Sequence, residues 1–179
     1  MAHFLNTAQA YGEIENIIVK CENRLVLISP YIQMPKKLLN MLSDVGEKRG
    51  VNITLVCRRK RLKSPELKIL KRIKRLEILD LPNVHAKCFY NEDSMVITSL
   101  NLLEYSIQKS REMGLLLNKE EDLEAFNDAR AEAEFIIETA YLVKPNKLLA
   151  REYRKRNPLS YELRQLFPTF AKLFGSKEE

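Results

Sequence analysis

The chain has 179 residues, 45% of them hydrophobic and 30% charged, with a formal net charge of +6, the balance of one soluble globular domain with a substantial core. No apolar run approaches the ~20 residues that cross a bilayer, and the opening MAHFLNTAQAYGEIENIIVK lacks the basic start and long apolar block of a targeting peptide, so a cytoplasmic protein without a membrane anchor is expected. Cys21, Cys57 and Cys88 are too scattered for a disulfide framework or thiolate cluster, and His3 and His85 do not make a histidine-rich zinc site; neither metal nor cofactor is expected.

In chain order, Asn6 is suited to cap a helix that runs to about Glu22, with Ala8, Tyr11, Ile14, Ile18 and Cys21 at helical spacing. Leu25–Ser29 is almost wholly apolar, as in a strand buried on both faces. Pro35 suits a first helical position, and Leu38, Leu39, Leu42 and Val45 form a stripe that ends at Gly50. Val51–Cys57 then reads as a second strand. Strand, helix and strand in this order make a βαβ unit, which calls for a parallel pair and a right-handed crossover.

Between Arg58 and Arg75 lie ten Lys and Arg residues and a single acid, Glu66. Ser64-Pro65-Glu66 opens a helix to about Arg75, with Leu67, Leu70, Ile73 and Leu76 inward and a cationic outer face. Lys68, Lys71, Arg72 and Arg75 share one stripe beside Arg58, Arg59 and Arg61, an arrangement able to follow a phosphate backbone. Leu76–Leu81 is a third strand. After Pro82-Asn83, the stretches Val84–Tyr90, Asn91–Ser94 and Met95–Thr98 read as strand, turn and strand, a hairpin. Leu102–Lys109 is expected to be helical, and Met113–Leu117 a last strand. Glu120–Val143 has the pattern of an amphipathic helix, with Leu123, Phe126, Ala133, Ile137 and Ala140 on one side and eight acids between Glu120 and Glu138 on a solvated face.

These elements predict an α/β domain over residues 1–144, a mixed central sheet flanked by helices on both faces. Residues 145–179, rich in large apolar side chains, are read as a helical extension that packs on the domain or on a second subunit, with a membrane surface as a third possibility.

The chemistry concentrates between Val84 and Leu117. Residues two apart on a strand share a face, so His85 and Lys87 point together, and Ser99 and Asn101 repeat that spacing at the end of the neighbouring strand. Lysine offers a point charge, serine and asparagine offer directional donors, and together they suit the oxygens of a phosphate. Histidine is left for the reaction, because imidazole attacks phosphorus or moves a proton near neutral pH. Glu112 is the candidate to orient it. Tyr31, beyond the first strand, either stacks a base or packs; Lys109 and Arg111 either add phosphate contacts or face solvent.

His85-Ala-Lys87 followed by Thr98-Ser99-Leu-Asn101 and then Glu112 resembles the phospholipase D superfamily, whose signature is H-x-K-x4-D followed by G-S-x-N and a downstream acid. Glu92 stands at the family's aspartate position, with Asp93 beside it, and Thr98 replaces the glycine. The resemblance, which spans roughly Tyr11 to Leu117, implies a phospholipase D-like domain that transfers phosphodiesters in two steps. One histidine is the nucleophile and a second the general acid. With a single such motif in the chain, it also implies a homodimer in which two copies of His85 meet across a two-fold axis. Short single-motif members resemble nucleases, so DNA or RNA is the expected substrate. The alternatives are a lipid hydrolase acting on head groups such as cardiolipin, and a nucleic-acid-binding module with little or no catalysis.

Overall fold

The computed structural model describes residues 1–62, 64–103 and 109–144. The chain begins in His3–Asn6 (β1), an edge strand that the sequence pattern does not announce. Asn6 closes β1 and caps Thr7–Lys20 (α1). Its Oδ1 accepts from Gln9 N at 3.0 Å, while Gln9 Oε1 accepts from Asn6 N at 3.0 Å, so two of the helix's open N–H groups are satisfied reciprocally.

Arg24–Ile28 (β2), the two-residue strand Ile32–Gln33 (β3), Lys36–Glu47 (α2) and Asn52–Cys57 (β4) follow. Pro35 sits one place earlier than expected, at the N-cap of α2. Gly50 takes φ +76° in the turn into β4, a left-handed backbone that glycine adopts without a Cβ penalty. β2 and β4 pair in parallel from Arg24↔Asn52 to Ile28↔Val56, as the βαβ reading requires.

A 3₁₀ turn at Arg59–Arg61 and the helix Ser64–Leu70 (α3) lead to Leu76–Asp80 (β5), parallel to β4. α3 ends earlier than the expected Arg75. Successive tight turns, Arg72 N to Ile69 O at 3.0 Å and Ile73 N to Leu70 O at 3.2 Å, still bury Ile73 and Leu76.

Cys88–Tyr90 (β6) and Ser94–Thr98 (β7) make the hairpin. Leu102–Leu103 (β8), Met113–Asn118 (β9), Leu123–Thr139 (α4) and Tyr141–Lys144 (β10) complete the described elements. Among the described residues the main sheet has eight strands in the order β1-β9-β7-β6-β2-β4-β5-β10, and β3 pairs with β8 beside it.

The structure corrects three expectations. Val84–Lys87 is not strand, because Val84 N closes a turn on Leu81 O at 3.1 Å; pairing with β7 begins at Lys87 O, which accepts from Thr98 N at 3.1 Å. Leu102 and Leu103 are strand rather than helix, tied in parallel to Ile32 and Gln33; residues 104–108 lie outside the described ones. α4 stops at Thr139, and Tyr141–Lys144 runs back as an edge strand antiparallel to β5, where aromatic and β-branched side chains suit a pleated surface.

Helices cover both faces of the sheet. On one, Ile14 and Ile18 of α1, Leu38 and Leu42 of α2 and Leu70 of α3 are buried in one cluster. On the other, Phe126, Ala133 and Ile137 of α4 pack on Val26, Val56 and Tyr90. Leu123, expected inward, is 55% exposed. The acids of α4 are not all solvated: Glu134 takes two hydrogen bonds from Arg24, at 2.7 and 2.8 Å, and one from Tyr90 Oη at 2.8 Å.

Cys21, Cys57 and Cys88 are buried free thiols, and burial pushes them up, to about 11 at Cys21 and about 12 at the other two. No helix among the described residues is long and apolar enough to cross a membrane. The expected extension, residues 145–179, lies outside the described residues.

Candidate active site

Strand register brings the singled-out side chains to one end of the sheet. β2 ends at Ile28, opposite Cys88 at the start of β6; Cys88 faces Ile97 near the end of β7; Thr98 faces Gly114 at the start of β9. β4 also ends here, and Arg58 follows it. His85, Lys87, Ser99, Glu112 and Arg58 therefore project from neighbouring chain segments over one edge.

His85 is exposed and Lys87 is buried. Although they precede the strand, they still meet. Lys87 Nζ donates to His85 O at 2.8 Å and lies 3.4 Å from His85 Nδ1, which leaves Nε2 without a partner among the described residues. Burial holds the Lys87 ammonium below the ordinary lysine range; the Glu112 carboxylate opposes that shift and Arg58 adds to it.

Glu112 lies within electrostatic reach of Lys87, but its Oε2 accepts from Ser99 Oγ at 2.5 Å. No hydrogen bond joins it to His85 among the described residues. Ser99 Oγ also accepts from Met113 N at 3.1 Å. The serine hydroxyl and the carboxylate thus form one unit next to the histidine–lysine pair. Sequence reasoning missed the residue that seats this unit: Thr7, at the start of α1, accepts from Glu112 N through Oγ1 at 2.8 Å. Asn101 sits beyond β7, with its Oδ1 buried and without a hydrogen-bond partner among the described residues.

Thr98, in the place of the signature glycine, directs its hydroxyl to the backbone. Oγ1 donates to Met113 O at 2.7 Å and accepts from Leu100 N at 3.1 Å. Glu92, at the signature's acid position, stands at the opposite end of the sheet, in the β6–β7 turn. It accepts from the N–H groups of Glu22 at 3.2 Å, Asn23 at 2.7 Å and Arg24 at 2.5 Å. Burial raises this carboxyl, but the backbone donors outweigh it and hold Glu92 below the usual carboxylate range.

The basic residues separate by position. Arg58 is at the site: its Nε donates to Val84 O at 2.7 Å, and its guanidinium lies 5.9 Å above the Tyr31 ring, within cation–π range. Arg59 anchors its backbone on Asp80 Oδ1 at 2.9 Å, and Arg61 closes the 3₁₀ turn. Lys68, Lys71 and Arg72 are exposed on and just after α3, leading away from the site. Arg75 is at the far end of the sheet, bonded to Asn52 Oδ1 at 3.2 Å. Lys109 and Arg111 are exposed. His3 pairs with Leu116 well down β9, so it does not join His85.

A cavity of about 480 Å³ opens beside the site, lined by His85, Lys87, Ser99 and Ile97 and by Ala129, Glu132 and Ile136 of α4. Among the described residues no group of three or more His, Cys, Asp and Glu side chains is placed to hold a metal ion.

Comparison with known proteins bears on the family and the fold. The family model described as Cardiolipin synthase, PLD-like domain, matches residues 14–150. A search of curated protein sequences finds no match. Among solved structures the chain is similar to Nuc, a phospholipase D family member from Salmonella typhimurium, with TM-score 0.64 and 13% identity over 81% of this chain and 99% of that one. It is similar to NucT from Helicobacter pylori, with TM-score 0.66 and 11% identity over 78% and 97%. It also resembles TrmBL2, an archaeal chromatin protein that binds DNA, with TM-score 0.59 and 11% identity over 79% of this chain and 53% of that one. With the family model spanning most of the chain and the mixed sheet matching these folds, the chain belongs to the phospholipase D-like family.

Proposed function

We propose that the chain is a phosphodiesterase that cleaves DNA or RNA, without a metal, through a phosphohistidine formed on His85. The observation that carries this reading is the meeting of His85 and Lys87, Nδ1 to Nζ 3.4 Å, beside the Ser99–Glu112 unit, with Arg58 at the same edge. Nε2 attacks phosphorus, the P–O bond to the leaving oxygen breaks, and a second imidazolium gives that oxygen its proton. In the second half the same imidazole takes a proton from water, the water oxygen attacks phosphorus, and the P–N bond breaks. Lys87, Ser99 and Asn101 bind the phosphate oxygens, and Glu112 holds Ser99 in place and balances charge at Lys87. All of these residues fall within the catalytic domain, residues 1–144.

The second imidazole comes from His85 of another copy in a homodimer. An apolar surface at the site end supports this. Phe4, Leu115 and Ile97 stand side by side across β1, β9 and β7, 62%, 45% and 38% exposed, with Met113, two residues before Leu115 on β9, 65% exposed. Exposed apolar surface on this scale marks an interaction site.

The test is incubation of purified protein with single- and double-stranded DNA and RNA in excess chelator, with cardiolipin vesicles as the lipid arm. Cleavage of nucleic acid that His85→Ala abolishes, with acid-stable protein-bound phosphate absent and acid-labile phosphate present, is expected. No cleavage by the wild type, cleavage that survives His85→Ala, or turnover confined to vesicles would sink the proposal.

A further inference from the structure

We propose that Arg58, stacked on Tyr31, forms a second phosphate subsite that takes the phosphodiester next to the scissile one in a polynucleotide strand. The inference deepens the nuclease reading and rests on it. Arg58 is held at three points: its backbone N donates to Pro30 O at 3.3 Å, its Nε donates to Val84 O at 2.7 Å, and Tyr31 lies beneath the guanidinium at 5.9 Å. Because Val84 immediately precedes His85, the hydrogen bond ties the cation to the backbone that carries the nucleophile.

Arginine carries five N–H donors. Nε uses one, and the Nη groups have no acceptor among the described residues. Their planar fork matches two oxygens of one phosphate. Nearby, the guanidinium disfavours the charge of the buried Lys87 ammonium, while the Glu112 carboxylate directs Oε2 to Ser99. Two cations held together, with the Glu112 carboxylate shared between Lys87 and Ser99, form a site that an anion relieves. The lysine belongs to the reacting phosphate, beside His85; the arginine is two strands over, after β4, and reaches the next.

A lipid with two phosphodiesters shares this chemistry. The run of exposed cations from Lys68 to Arg72 leading off from the same edge favours a longer polyanion. Those side chains differ from Arg58, which is half-buried and anchored.

The experiment measures binding by fluorescence anisotropy in a His85→Ala background, so that turnover plays no part. Labelled single-stranded oligonucleotides carry either all phosphates or one neutral methylphosphonate, scanned through every linkage. Arg58→Ala is expected to weaken the all-phosphate strand about tenfold, the effect of one charge-assisted hydrogen bond, and to lower the salt slope by about one. One methylphosphonate position should weaken binding to the same extent with Arg58 present and add nothing to Arg58→Ala. Arg58→Lys should recover the salt slope but only part of the affinity.

Because the methylphosphonate arm leaves the protein unchanged, a folding defect in Arg58→Ala cannot imitate this result. Equal loss at every linkage, no loss on Arg58→Ala, no oligonucleotide binding at all, or a loss seen only with cardiolipin vesicles would overturn it. Absence of cleavage by the wild type would overturn the phosphodiesterase reading alone.

Discussion

Gly114 and Thr98 are a matched pair. A Cβ on Gly114 would lie 2.9 Å from Thr98 Cβ and 3.0 Å from the backbone oxygen of Ile97, so the threonine that replaces the signature glycine requires a glycine opposite. Gly114→Ala should cost about 1–3 kcal/mol, the usual penalty of overpacking, read as a lowered denaturant midpoint, and Thr98→Gly in the same chain should recover part of it. Glu92 gives a pH-dependent counterpart. Its folded carboxyl lies below its ordinary value, so the stability it contributes is present above the usual carboxylate range and fades as pH falls through the folded value. Glu92→Gln should lower stability by about 1 kcal/mol at pH 7, a figure discounted for partial solvent exposure. Urea titrations should show wild type and variant converging in acid; a difference unchanged at low pH would refute the assignment. At this scale the sequence identified residue types well and their partners poorly. Spacing placed His85, Lys87, Ser99 and Glu112 together, but the Glu112–Ser99 bond and the Thr7 support link positions 13 and 105 residues apart, and no local pattern records such distances.

Helix α4 is held to the sheet by more than its apolar stripe. Arg24 and Tyr90 converge on Glu134, and although burial raises that carboxyl, their hydrogen bonds hold it low. Tyr90→Phe should cost about 1 kcal/mol, the worth of one hydrogen bond from a neutral hydroxyl to a carboxylate. Glu134→Ala should cost about 2–3 kcal/mol, because it also leaves the half-buried guanidinium of Arg24 unpaired. Equal midpoints for the two variants would contradict the arrangement. The long elements were legible: apolar runs gave β2, β4 and β5, and helical spacing gave α1, α2 and most of α4. The short strands were not. β1, β3, β8 and β10 are two to four residues long, too short for a period to register. Tyr141–Lys144 continues the apolar pattern of α4 while the chain turns to pair with β5, a choice made by the free edge of the sheet rather than by local preference.

On the scale of the whole molecule, α4 covers the middle of its face and leaves β7, β9 and β1 open at the site end, where Ile97, Leu115 and Phe4 are exposed. If two copies join there, Ile97→Asp should leave the monomer folded, since the side chain is already partly in water, while shifting sedimentation from dimer to monomer. Cleavage should fall about 10²–10⁴-fold, the usual contribution of a general acid, with His85, Lys87 and Ser99 untouched. A folded Ile97→Asp dimer with full activity would remove this face from consideration. The expectation of a second imidazole came from the two-histidine reaction that the family resemblance implies, set against the single motif in the chain. The surface that could supply it did not, because exposure depends on where α4 lies.

The hairpin of β6 and β7 has a candidate-site end and an anchoring end. His85 and Lys87 lie at one, and Glu92, gripping three backbone N–H groups, lies at the other. A single signature string therefore covers two separate places in the fold. A descendant could lose the histidine and keep the acid, remaining a sound scaffold with no turnover, and a search for the string would still score it in part. In this chain the acid serves the architecture, and the histidine–lysine pair is where the proposed chemistry would sit.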